Sequence, residues 1–78
     1  MNIEEFLEWL KINKNMSLRS AKDVLSRYSR ICKMLNLTDF NNDTLSLLTN
    51  CKHFNQCSMF VKSQLKRTIT LYLEFKNQ

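Results

Sequence analysis

Neither glycine nor proline occurs anywhere in this 78-residue chain. Tight hairpin turns need positive backbone φ angles, which glycine supplies without steric penalty, and small sheet proteins depend on many such turns. Their absence argues against an all-β fold and for helices. Helices in this chain must also end without glycine. Asparagine is the next residue to tolerate the left-handed conformation at a helix C-terminus. Asn13, Asn15, Asn36, Asn50 and Asn55 stand where the helical patterns fade. The chain reads as all-α, punctuated by asparagine.

The periodicity locates the helices. "NIEEFLEWLKI" predicts a short helix over about residues 3–12, with Asn2 and Glu5 spaced as a capping box and early glutamates suited to the positive helix start. Ile3, Phe6, Leu7, Trp9 and Leu10 form its expected inner side. In "SLRSAKDVLSRYSRICKML", Ser17 can cap a long helix. Leu18, Ala21, Val24, Leu25, Tyr28, Ile31, Cys32 and Leu35 recur at helical steps and fill one sector. "DTLSLLTNC" predicts a short helix capped by Asn42 or Asp43 and buried through Leu45, Leu48 and Leu47, and "KHFNQC" reads as irregular. Ser58 then caps a last long helix ending near Lys76, with Val61, Leu65, Ile69, Tyr72 and Phe75 inside. Two short and two long helices make a single small four-helix bundle over residues 1–78.

A chain this short buries only about 60% of its unfolded surface, so modest stability is expected. Three cysteines do not pair off, and the first ten residues are acidic rather than leader-like. Free thiols in a reducing cytoplasm are the simple expectation. No apolar run approaches the roughly 20 residues of a membrane span.

Cys51, His53 and Cys57 form C-x-H-x3-C, with Cys32 as a conceivable fourth zinc ligand, but the spacing matches neither paired C-x-x-C ribbons nor a C2H2 finger. Cys32 also falls on an apolar stripe, where cysteine serves as a small hydrophobe. No metal or cofactor is expected. A cysteine–histidine nucleophile lacks an orienting third group and an oxyanion loop, so no enzyme is expected either. Ser20, Ser26 and Ser29 are explained as surface positions. Phe40, Phe54 and Phe60 fall outside the helical stripes and suit packing of the connections or stacking on a base.

The net charge of +5 is uneven. The first ten residues hold Glu4, Glu5 and Glu8 and no base, leaving +8 on the remainder. Arg19, Lys22, Arg30 and Lys33 project opposite the apolar side of the first long helix, with Arg27 at the edge and Asp23 inside it. Lys62, Lys66 and Arg67 do so on the last. Two explanations fit: solvated backs of amphipathic helices, or a surface that tracks phosphates. The repeated arginines favour the second, because the guanidinium makes forked contacts with phosphate.

The succession "FLEWL", "SLRSAKDVLSRYSRICKML", a short helix and "SMFVKSQLKRTITLYLEF" resembles the N-terminal core-binding (SAM-like) domain of phage integrases and tyrosine recombinases. Ser17 and Ser20 match its serine-led second helix, and Ser58, Leu65, Tyr72 and Phe75 its closing helix. The resemblance implies a four-helix bundle that clamps one side of double-stranded DNA through bases on its long helices. The implied set is Arg19, Lys22, Arg30, Lys33, Lys62, Lys66 and Arg67, and the stripe adds Arg27. Val24 departs from the family's usual tyrosine. The family's catalytic arginines, His-x-x-Arg box and nucleophilic tyrosine are absent, and His53 is followed by "FNQ". The resemblance therefore implies DNA binding without DNA cleavage. A rival expectation is a helical protein-interaction module, such as a phage- or plasmid-borne regulator or inhibitor, docking on an acidic protein or ribonucleoprotein. In that case the Glu4, Glu5, Glu8 edge near Trp9 would serve self-association.

Overall fold

The structure, a computed structural model, describes residues 3–78, which form five helices: α1 (Ile3–Asn13), α2 (Leu18–Leu35), α3 (Thr44–Thr49), α4 (Lys52–Asn55) and α5 (Met59–Lys76). The expected capping box at Asn2 lies outside the described residues. Where four helices were expected, the segment read as irregular contributes a fifth, the single turn α4. Cys51 enters it in an extended conformation, the Asn55 N–H donates to the Cys51 carbonyl at 3.1 Å, and the buried Phe54 ring anchors it. One turn holding one apolar residue is too short to show a period.

Both long helices begin as their serines predict. Ser17 and Ser58 are extended, and each hydroxyl accepts the N–H three residues on, from Ser20 and Val61, at 3.2 Å. The asparagine rule holds at two places. Asn36 stands left-handed at φ 56° and its N–H donates to the Cys32 carbonyl, ending α2, while Asn15 at φ 52° turns the chain between α1 and α2. Asn13, Asn50 and Asn55 have negative φ. The start of α3 differs from expectation, since Asp43 makes no side-chain cap. The Asn41 side-chain oxygen instead accepts the Asp43 N–H at 2.8 Å, and the buried Thr44 hydroxyl accepts the Asn41 N–H at 2.8 Å.

α1, α2 and α5 pack against one another, and α3 closes against α2 and α5 with α4 beside it. Phe6, Leu10, Ala21, Val24, Ile31, Leu48, Leu65 and Ile69 are buried. Ile3, Leu18, Leu45 and Leu47, expected inside, are exposed. Ile3 and Leu18 open their helices, beyond the packed length, and six-residue α3 turns only Thr44 and Leu48 inward. Aromatic rings join the layers: Phe6 meets Tyr72 edge-on at 5.3 Å and Phe75 at 5.1 Å, and Tyr28 lies 4.4 Å from Phe40 and 5.0 Å from Tyr72.

At the rim of this cluster Asp39 ties three elements together. Its carboxylate accepts from the Tyr28 hydroxyl at 3.1 Å and from Lys76 Nζ at 3.2 Å, and Lys76 also reaches the Phe40 carbonyl at 3.0 Å. Burial alone would raise the carboxyl's pKa. Hydrogen bonds from the Tyr72 hydroxyl, the Phe40 N–H, Lys76 and Tyr28 outweigh it and bring the pKa down to about 2. Burial and the neighbouring carboxylate push Tyr72 up to about 12, and Tyr28 is raised as well, chiefly by burial. Both hydroxyls therefore stay protonated and able to donate. No described helix is long and apolar enough to cross a membrane.

Candidate nucleic-acid interface

Three ion pairs form among the described residues: Lys11–Glu8 at 3.3 Å, Lys14–Glu74 at 2.8 Å and Lys76–Asp39 at 3.2 Å. They lie on α1, on the turn after it and at the C-terminal end of α5. Arg19, Lys22, Arg27, Arg30, Lys33, Lys62, Lys66 and Arg67 form none among the described residues. The sequence explains part of this, because no acidic residue occurs between Asp43 and Glu74. α3, α4 and most of α5 thus offer a cation no acidic partner of their own.

A groove of about 230 Å³ runs between α2 and α5. α2 contributes Ser20, Asp23 and Arg27, and α5 contributes Gln64, Arg67 and Leu71. Each set is spaced i, i+3, i+7, which places its members along one side of a helix. Val24, Thr68 and Leu71 are buried along the groove, and the Thr68 hydroxyl is satisfied by the Gln64 carbonyl at 3.0 Å. Two arginines from different helices line this concave surface with Ser20 and Gln64, and guanidinium, hydroxyl and amide donors suit an oxyanion such as phosphate. Asp23 lines the same groove and opposes an anion at its own position.

The other basic residues divide between two further places. Arg30 Nη2 lies 4.0 Å from Cys57 Sγ, so its side chain reaches the turn that precedes α5. Lys62 and Lys66 hold their ammonium groups 5.8 and 5.9 Å from the centre of the Phe54 ring, on the flank of α5 that faces α4. Arg67 follows Lys66 by about 100° around the helix and lies on the groove side. The three α5 bases therefore do not share one row. Arg19, Lys22, Arg30 and Lys33 are exposed on α2, and Arg27 is half-buried in the groove wall.

Of the phenylalanines outside the helical stripes, Phe40 and Phe54 are core residues, leaving Phe60 exposed beside Met59. Cys32, Cys51 and Cys57 are free and half-buried. The Cys57 thiol donates to the His53 carbonyl at 3.3 Å, and burial raises the pKa of Cys32. Among the described residues no group of three or more His, Cys, Asp or Glu side chains comes together to hold a metal ion.

Helical periodicity places Asp23 inside the basic side of α2 but does not single out Gln64, because the groove that both line exists only once α2 and α5 are packed. Phe60 carried a usable signal, because it stands four residues before Gln64 and seven before Arg67, off the apolar stripe. No protein-family model, curated protein or solved structure matches the chain.

Proposed function

We propose that the chain is a non-catalytic module that binds duplex DNA in the cytoplasm, built on the core-binding plan of the tyrosine recombinases. Arg27 and Arg67 engage phosphates at the α2–α5 groove. Arg19, Lys22, Arg30 and Lys33 extend the contact along α2, and Lys62 and Lys66 extend it along α5. The observation that carries this reading is the convergence of Arg27 and Arg67 on one groove, amid bases that form no ion pair among the described residues.

Fluorescence anisotropy of a labelled duplex tests it. Phosphate contacts release counterions, so affinity falls with salt by a log–log slope of about −0.9 for each phosphate neutralised. Wild-type protein should lose affinity steeply between about 50 and about 200 mM salt. Arg30→Glu with Lys33→Glu should lose most of the binding while the far-UV circular dichroism stays unchanged. Absence of binding at low salt, or indifference to salt, would remove the proposal.

One observation favours a second reading, a protein-interaction module. Glu4, Glu5 and Glu8 border a hollow with Trp9, Ile12 and Phe75, at the opposite pole of charge from the groove. A chain with one acidic, apolar face and one basic face is suited to docking on an acidic protein or ribonucleoprotein. Binding to polyglutamate together with a flat duplex titration would favour that reading over the first.

A further inference from the structure

Met59 and Phe60 open α5 with 77% and 70% of their surface exposed, whereas Phe6, Phe40, Phe54 and Phe75 are buried or half-buried in the core. The two side chains stand on a formed helical turn. The Ser58 hydroxyl accepts the Val61 N–H at 3.2 Å, and the Ser58 carbonyl accepts the Lys62 N–H at 2.9 Å. A thioether chain and a phenyl ring are thus held out into solvent on a rigid support.

Their surroundings are cationic on both sides. Phe60 precedes Gln64 and Arg67 by four and seven residues, which continues the groove side of α5 by one turn towards its start. Arg30 extends from α2 to Cys57, three residues before Phe60. Lys62 and Lys66 follow Met59 by three and seven residues and run along the other flank. The first turn of α5 carries no acid. An apolar pair ringed by cations fits a partner whose apolar surface is itself bordered by anions. A nucleic-acid duplex has that arrangement, with stacked bases lying between two rows of phosphates and opening an apolar face where a step is unstacked. Proteins that bend DNA use Phe and Met as wedges between base steps in this way.

Resting on the DNA-binding reading above, we infer that Met59 and Phe60 form an apolar wedge that enters a groove of the duplex and unstacks a base step. The flanking cations hold the phosphates on either side. The wedge separates two tasks: Arg27, Arg30, Arg67, Lys62 and Lys66 supply salt-sensitive attraction, and Phe60 supplies a salt-insensitive base contact.

The test uses the full chain and duplexes carrying 2-aminopurine at successive positions, with donor and acceptor dyes at the ends to report bending. Wild-type protein should raise the 2-aminopurine fluorescence at one step and shorten the end-to-end distance. Phe60→Ala should abolish both signals and weaken binding by roughly tenfold, in line with the loss of one stacked base. Its salt slope and melting temperature should match wild type, and Met59→Ala should act in the same direction. If wild-type protein binds with a steep salt slope but the fluorescence stays flat and Phe60→Ala binds equally well, the wedge is overturned and the phosphate-binding reading stands. If Phe60→Ala instead converts a dimer to a monomer in sedimentation, with duplex binding unchanged, the pair is a self-contact and the wedge is overturned. No binding at low salt would overturn both.

Discussion

Replacing Asp39 with asparagine removes one charge from the junction of α2, the following loop and α5 while leaving its shape in place. An asparagine oxygen still accepts the Tyr28 hydroxyl, now 3.1 Å from Asp39, and Lys76 still reaches the Phe40 carbonyl at 3.0 Å. What is lost is the charge-assisted part of the contacts with Lys76 and the tyrosine hydroxyls. Folding lowers the Asp39 pKa from 3.8 to about 2, which sets a ceiling of about 2.4 kcal/mol at about 1.36 kcal/mol per pH unit. The Asp39 and Lys76 side chains are 41% and 44% exposed, so water screens much of it and about 1 kcal/mol is expected.

The sign follows from the direction of the change. The folded carboxyl is the stronger acid, so its contribution is complete above about pH 4 and disappears as pH falls through about 2. Urea denaturation followed by far-UV circular dichroism, run on wild type and Asp39→Asn across that range, measures the difference. At neutral pH the variant should be less stable by about 1 kcal/mol, or about 4–8 °C in melting temperature for a domain of this size. The gap should shrink through about pH 2 and close below it. Equal stability at neutral pH, or a gap that survives acid, would refute the account of Asp39 as a charged tie.

The other predictions concern packing and caps. Leu10→Ala, at a fully buried position, should destabilise by about 2–5 kcal/mol in urea, whereas Leu45→Ala on exposed α3 should change stability by less than about 0.5 kcal/mol. Ser17→Ala and Ser58→Ala should each lose about 1 kcal/mol, read from thermal melts, because each hydroxyl satisfies one N–H of a helix start.

What the sequence made legible is what a single helix decides for itself. The inward sides of α2 and α5, the Ser17 and Ser58 caps and the left-handed Asn36 all follow from spacing and local backbone preference. α4 was not legible, because a single turn held by Phe54 has no period to detect. α3 starts after Asp43 as the sequence predicts, but Asp43 makes no side-chain cap, since Asn41 and Thr44 form a local turn that competes with it. Leu45 and Leu47 show the limit of hydrophobicity as a guide to burial: a six-residue helix meets the core over too short a length to cover three leucines. The candidate site divides the same way. The exposed bases of α2 could be listed from the helical wheel. That Arg27 and Arg67 line one groove depends on how α2 sits against α5, which no local pattern encodes.

The charge asymmetry itself changes meaning once the fold is known. In the sequence, three glutamates in the first ten residues stand apart from a basic remainder. In the fold, Glu8 pairs with Lys11, Glu74 with Lys14 and Asp39 with Lys76, so every base around α1 and the end of α5 is met by an acid, and Glu4 and Glu5 leave that region acidic. The same region holds the aromatic cluster of Phe6, Trp9, Tyr72 and Phe75. The aromatic ties and the three ion pairs thus occupy one part of the bundle. The uncompensated bases occupy α2's outer face, the groove and the α4–α5 flank. Cations that took part in holding the fold would be poor candidates for a partner, because engaging one would break the other. Lys62 and Lys66 do touch the buried Phe54 ring, but Arg27, Lys33 and Arg67 form no ion pair among the described residues, so on the DNA-binding proposal these three would meet phosphate without breaking one.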